Sequence, residues 1–79
     1  MPTVLLIKGY RFFFYSHEGN EPMHIHIEKA DAEAKVWLKP EIKTAFFIDF
    51  SKREQREIID LTKQNYETLK QKWNEYFSK

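Results

Sequence analysis

The sequence of 79 residues has no cysteine, only two glycines and three prolines, and no long apolar run. Without cysteine the chain can form no disulfide, thiolate zinc site or cysteine nucleophile, so any metal would need histidine and carboxylate ligands. The short apolar run Val4–Ile7 is far below the roughly 20 residues of a membrane span, and neither a basic segment nor a small-residue cleavage site accompanies it. We therefore expect a strand there, and a cytoplasmic protein without membrane contact.

An excess of charge of one sign is also lacking. Thirteen lysines and arginines balance 12 aspartates and glutamates, for a net charge of +1. Such a balance does not direct the chain to nucleic acid or to membrane surfaces. The length allows one domain, residues 1–79, whose core buries only about 60% of the unfolded surface. Because so small a core stabilises weakly, a homo-oligomer such as a homodimer is an expected state.

Aromatic and β-branched residues, by contrast, are abundant near the start of the chain. Thr3–Ile7 and Tyr10–Tyr15 predict two strands, joined at Lys8-Gly9 by a two-residue hairpin turn in which glycine takes a positive φ. If Ile7 pairs with Tyr10, alternation divides the apolar side chains between the two faces. One face then carries Leu5, Ile7, Tyr10, Phe12 and Phe14, and the other carries Val4, Leu6, Phe13 and Tyr15. Since both faces are apolar, the hairpin needs cover on both sides.

A second hairpin is predicted from Met23–Lys29 and Glu33–Lys39, with a tight turn at Ala30-Asp31. In the first of these strands apolar and polar residues alternate strictly, which is typical of a half-buried strand. Its apolar face carries Met23, Ile25 and Ile27, and its polar face carries His24, His26 and Glu28. If Lys29 pairs with Ala32, the same register sets His26 beside Lys35 and His24 beside Trp37.

The carboxy-terminal part of the sequence predicts a helix. Ser51 and Glu54 have the spacing of a capping box, which marks a helix start. An apolar stripe with helical spacing then follows, made of Ile58, Thr62, Tyr66, Leu69, Trp73 and Phe77. Asn65 could break this span into two helices, and residues 41–50 could form a fifth strand or a short helix. The predicted fold class is α+β: a small, mainly antiparallel sheet of four to five strands packed against a C-terminal helix.

The histidines on the second hairpin are the candidate chemical site. On a strand, His24 and His26 have Cα atoms about 6.6 Å apart and project side by side, so they could share one divalent metal ion. Further ligands would come from His17 and Glu18 in the preceding loop, although Lys35 opposite His26 opposes a bound cation. Without metal, both imidazoles could transfer protons while Lys35 stabilises negative charge, as RNA cleavage would require.

A third interpretation assigns no chemistry to this pair. The histidines could simply occupy the solvent face of a half-covered sheet, or hydrogen-bond the loop Ser16–Pro22 and contact Trp37 at an interface. These alternatives remain open at the level of sequence.

Four segments together carry a family resemblance. They are Gly9-Tyr10-Arg11-Phe12-Phe13-Phe14-Tyr15, Asn20-Glu21-Pro22-Met23-His24-Ile25-His26-Ile27, Ala34-Lys35-Val36-Trp37-Leu38 and Trp73-Asn74-Glu75-Tyr76-Phe77. The chain resembles, over nearly its whole length, the prokaryotic domain-of-unknown-function family 4160 (DUF4160). The resemblance implies no assigned activity. It does imply a partnered role, because genes of this family resemble one half of a two-gene, toxin–antitoxin-like cassette.

The first function predicted is therefore a partner-binding component of such a two-gene module. Its partner would be a second copy or a small protein encoded by a neighbouring gene, and an exposed aromatic patch would be the means of contact. The candidate contact residues are Tyr10, Phe13, Tyr15 and Trp37. The alternative is a small hydrolase or ribonuclease that uses His24 and His26, with or without a divalent metal.

Overall fold

Five strands precede two helices in a computed structural model that describes residues 3–15 and 20–77. The strands are β1 (Thr3–Ile7), β2 (Tyr10–Phe13), β3 (His24–Lys29), β4 (Ala32–Trp37) and β5 (Lys43–Ile48), and the helices are α1 (Lys52–Gln64) and α2 (Tyr66–Phe77). Each strand pairs antiparallel with the next, in the order β1-β2-β3-β4-β5. The predicted α+β class is confirmed, and the ambiguous residues 41–50 contain the fifth strand. No helix in the described part of the chain is long and apolar enough to span a bilayer.

The β3–β4 hairpin has the register that the alternation predicts. Lys29 pairs with Ala32, His26 with Lys35 and His24 with Trp37. Ala30 takes a φ of 52°, so the chain reverses in a tight turn. Because a slip by one residue would turn every apolar side chain outward, burial of one face fixes this pairing.

Both edge strands contain a register shift. β1 pairs with β2 as predicted from Ile7 to Leu5, and then Thr3 lies opposite Phe13, with Val4 as the extra residue. This bulge turns Val4 towards the core, so its predicted position on the other face is wrong. At the opposite edge, a second shift lies where β4 passes from Lys35 to Val36.

The helical region begins where the sequence predicts, and of the two alternatives at Asn65 the structure contains the break. The backbone N–H of Glu54 donates to Ser51 Oγ (3.1 Å) and that of Ser51 donates to Glu54 Oε1 (3.0 Å), which completes the capping box. At the end of α1, both the backbone N–H and the side-chain amide of Asn65 donate to the Leu61 carbonyl. With its amide engaged in this way, Asn65 caps α1, and α2 begins at the next residue.

The sheet has two distinct faces. The first, which we call the helix face, is covered by both helices and forms the apolar core. Its strand residues include Tyr10, Phe12, Ile25, Ile27, Ala34 and Val36, and the helices contribute Ile58, Leu61, Leu69 and Trp73. The second, which we call the histidine face, carries Arg11, Phe13, His24, His26, Lys35, Trp37, Phe46 and Ile48, as strand alternation and the observed register require.

Candidate functional site

His24 is fully buried in a cluster of aromatic rings at the start of β3. It is 0% exposed, and its ring centroid lies 5.2 Å from that of His26, 5.4 Å from Trp37 and 5.2 Å from Trp73 on α2. Its Nδ1 is 2.8 Å from the Pro22 carbonyl oxygen. Since a carbonyl can only accept, we assign a proton to Nδ1. His24 therefore joins the two hairpin strands to the last helix.

His26 is buried among aromatic rings of the amino-terminal hairpin. It is 5% exposed, stacks on Phe13 with centroids 5.5 Å apart and meets the ring of Tyr15 edge-on at 4.6 Å. The two imidazoles are themselves in edge-to-face contact. The structure thus brings the predicted pair together, but the interpretation that they face solvent on a half-covered sheet is wrong.

Lys35 lies opposite His26 in the register and is engaged by two groups. Its Nζ is 3.0 Å from Glu21 Oε1 and 4.4 Å from the ring centroid of Trp37. A carboxylate and an indole face both stabilise an ammonium ion. The same Glu21 oxygen is 4.0 Å from His24 Nδ1. Glu21, which was not among the predicted site residues, therefore connects Lys35 to His24.

Arg11 covers another part of the histidine face. Its guanidinium carbon lies 4.4 Å above the ring of Phe13, and its Nη1 is 2.8 Å from Glu28 Oε1. Its Nε also donates to Thr3 Oγ1 at 2.8 Å. Ion pairs and cation–π contacts thus lie over a face whose central rings are buried.

The predicted metal site is only partly within the described structure. His24 and His26 are adjacent, whereas His17 and Glu18 lie outside the described residues. Within residues 3–15 and 20–77, no three histidine or carboxylate side chains are grouped so that they could hold a metal ion. A divalent metal at this site therefore stays a prediction from the sequence.

The predicted aromatic contact surface is largely internal. Tyr10 is 1% exposed and Phe13 is 0% exposed, so the expectation that these two belong to an exposed patch is wrong. Tyr10 points into the core of the helix face, and the rings of the histidine face enclose Phe13. Tyr15 and Trp37 are half-buried.

Among the residues that the structure describes, the large apolar side chains that are exposed lie on the edge strands. They are Leu6 on β1 (71% exposed) and Phe46 and Ile48 on β5 (37% and 47%). The exposure of Phe46 and Ile48 was not predicted, because residues 41–50 fit either a strand or a short helix. The signal was the apolar run from Ala45 to Ile48, because a strand that covers one core has no need of apolar residues on both faces.

Comparison with known proteins identifies the family and nothing more specific. Residues 9–74 match the family model described as "Domain of unknown function (DUF4160)". No curated protein and no solved structure matches the chain. The match covers most of the sequence, and the chain belongs to the DUF4160 family.

Proposed function

We propose that this DUF4160 chain is the partner-binding component of a two-gene, toxin–antitoxin-like module. The observation that carries the proposal is the pair of exposed apolar side chains, Phe46 and Ile48, on the histidine face of β5. Apolar area in water favours association by roughly 25 cal/mol per Å² buried. Phe46 lies opposite Lys35 in the register, so charged groups border the apolar pair, as they border protein–protein interfaces.

The partner packs on the face of the sheet and does not extend its edge. Register shifts in both edge strands, at Val4 in β1 and opposite Val36 in β5, twist the outer backbone away from regular pairing. Bulges of this kind are a common protection against strand addition. Side chains on the histidine face, rather than free backbone groups, then provide the contact.

The buried histidines have a supporting role in this proposal. His24 and its neighbouring rings fix Trp37, which lies on β4 at the end of the same face. A face fixed in this way loses little conformational entropy on binding, which favours affinity. The partner to which we commit is the small protein encoded by the neighbouring gene, as the family resemblance implies.

Light scattering of the purified chain, alone and mixed with the purified neighbour, tests the proposal. We expect a one-to-one complex that the double variant Phe46→Thr/Ile48→Thr weakens about tenfold or more, since each buried apolar side chain contributes about 1.5–3 kcal/mol. Threonine preserves strand propensity at both positions.

The matched control is Leu6→Thr, which removes an exposed apolar side chain from the opposite edge of the sheet and should leave the complex intact. A chain that remains monomeric and ignores its neighbour contradicts the proposal. If the chain associates only with itself, and the Phe46→Thr/Ile48→Thr variant loses this association, the partner is a second copy of the chain and not the neighbour.

A second candidate function is a small hydrolase or ribonuclease that uses His24, His26 and Lys35, with or without a divalent metal. The contact between the two imidazoles favours it, with ring centroids 5.2 Å apart. Their burial favours the binding role instead, because a general acid or base must reach its substrate within hydrogen-bond distance. Elemental analysis and an RNA-cleavage assay on wild type, His24→Ala and His26→Ala separate the two. Bound metal, or cleavage lost in both variants while circular dichroism shows that they remain folded, supports the enzyme.

A further inference from the structure

An open groove lies at the end of the histidine face, where β4 leads into β5. It has a volume of about 520 Å³, within the range of small-molecule sites. We call it the Trp37 groove, and its lining includes Pro22, Trp37, Lys39, Pro40, Glu41 and Lys43. The exposed pair on β5 that carries the proposed function does not line it.

Trp37 is an aromatic residue in the lining of this groove. Its ring is held by the Lys35 ammonium at 4.4 Å and by the edge-on ring of His24 at 5.4 Å. Lys35 in turn is fixed by Glu21 at 3.0 Å. An aromatic side chain that is already immobilised can stack a planar ring at little cost in conformational entropy.

Two lysines of the groove have their charges uncompensated. Among the described residues, neither Lys39 nor Lys43 forms an ion pair, whereas Lys35 is neutralised by Glu21. The groove side chains Lys39 and Lys43 outnumber the single carboxylate of Glu41, so the local charge is positive although the whole chain is nearly neutral. An ammonium on a flexible stem is a common phosphate ligand.

We propose that the Trp37 groove binds a nucleotide, with the base stacked on Trp37 and the phosphate held by Lys39 and Lys43. A planar aromatic ring and an adjacent anion are the two chemical features that the groove complements. Free mononucleotides and single-stranded nucleic acid share this chemistry. The proposal does not depend on partner binding, because Phe46 and Ile48 do not line the groove and are not changed in its test. The two proposals share Trp37, which lies on the same face of the sheet.

The test is titration of the full chain, at low salt, with uridine monophosphate and with an oligouridylate of about eight nucleotides. Fluorescence reports binding at Trp37, since the other tryptophan, Trp73, is buried on α2 and gives a constant background. We expect quenching that saturates. Loss of base stacking in Trp37→Leu should weaken binding about 5- to 150-fold, measured by a change in the anisotropy of a labelled oligouridylate.

Charge variants keep the test decisive if Trp37→Leu fails to fold. Lys39→Ala/Lys43→Ala should reduce the slope of log affinity against log salt for the oligonucleotide by about 0.7 per lysine. The control Lys52→Ala/Lys63→Ala removes the same charge from exposed positions on α1. If both ligands bind and only the groove variants weaken their binding, the groove is a mononucleotide site. If only the oligonucleotide binds and only the groove variants weaken its binding, the ligand is single-stranded nucleic acid. Absence of binding, or equal loss in the control, overturns the proposal.

Discussion

A buried imidazole is compatible with a stable fold only when its nitrogens have partners, and His24 donates Nδ1–H to the Pro22 carbonyl at 2.8 Å. In the described part of the chain, no buried side-chain nitrogen or oxygen lacks a hydrogen-bond partner. At the scale of the residue, the candidate site is therefore a satisfied part of the aromatic interior. Stability measurements should detect its loss.

We predict that His24→Ala lowers the free energy of unfolding by about 2–4 kcal/mol. The variant removes a ring that contacts Trp37 and Trp73, and it deprives the Pro22 carbonyl of its donor. Urea unfolding followed by circular dichroism measures the loss, with exposed Lys63→Ala as a control expected to stay within about 0.5 kcal/mol. A loss for His24→Ala as small as that of the control would show that the ring does not support the fold.

Tyr10 and Glu57 form a second residue-scale contact, which ties β2 to α1. The phenol donates to Glu57 Oε1 at 2.8 Å. Burial, followed by this hydrogen bond, raises the pKa of Tyr10 from 10.0 to about 12. The same hydrogen bond and the nearby Lys8 charge hold the pKa of Glu57 below its ordinary value of 4.5. Folding thus favours the neutral phenol and the ionised carboxylate.

These shifts give stability a defined pH dependence. The contribution of Tyr10 is complete below pH 10.0, its unfolded value, and is lost as pH rises through about 12. That of Glu57 is complete above pH 4.5 and is lost as pH falls through its lowered folded pKa.

We predict that Tyr10→Phe is less stable than wild type by about 1 kcal/mol at pH 7, because one hydrogen bond is removed. Between pH 10 and 12 the difference should narrow, since only wild type loses the stabilisation of a neutral phenol. Urea midpoints across this range provide the measurement. A difference that stays constant from pH 7 to pH 12 would mean that the phenol does not ionise differently in the folded and unfolded states.

At the scale of the secondary-structure element, local chemistry decides where helices begin and packing decides which strand faces are covered. The capping box of α1 involves only residues three apart, so its signature can be recognised in the sequence. The backbone N–H of Ser51 is the main cause that lowers the pKa of Glu54, which indicates that the carboxylate form is the one that caps. The bulges in β1 and β5, by contrast, arise from pairing with neighbouring strands.

We predict that Ser51→Ala lowers the free energy of unfolding by about 1 kcal/mol, because an orphan N–H at the start of α1 loses its acceptor. Ser51→Asp retains an acceptor at the same position and should stay close to wild type. Thermal and urea unfolding compare the two variants. Equal stability of Ser51→Ala and Ser51→Asp would exclude an energetic role for this cap.

At the scale of the whole molecule, stability depends on the contact between the sheet and α2. Trp73 is 8% exposed, and its ring lies 5.2 Å from Phe14, 5.2 Å from His24 and 4.2 Å from Phe77. Trp73 therefore connects the core of the helix face to His24 on the histidine face. A domain of this size has a total stability of roughly 3–5 kcal/mol unless other contributions add to it.

We predict that Trp73→Ala abolishes cooperative thermal unfolding at neutral pH. Truncation of a buried tryptophan costs about 3–5 kcal/mol, which is comparable to the whole stability of such a domain. Circular dichroism should show a broad, noncooperative change, whereas the exposed neighbour Asn74→Ala should unfold like wild type. A cooperative transition in Trp73→Ala would show that α2 is dispensable for the fold.

Sequence alone determined the features that depend on near neighbours or on strict alternation. The β3–β4 register follows from Ile25 and Ile27 alternating with His24 and His26, because period two permits one face to be buried and forbids a slip. The start of α1 after the Ser51 cap follows equally from local hydrogen bonds. The break at Asn65 was one of two alternatives that the sequence left open, and the structure decided between them.

Only the tertiary structure decided whether the two histidines were exposed to solvent or buried. Nothing near His24 in the sequence signals that Trp73, at the far end of the chain, contacts its ring. The exposure of Phe46 and Ile48 is decided in the same way, by which strand forms the edge of the sheet. Alternation assigns a side chain to a face, whereas burial depends on what else packs on that face, and that contact is made between residues distant in sequence.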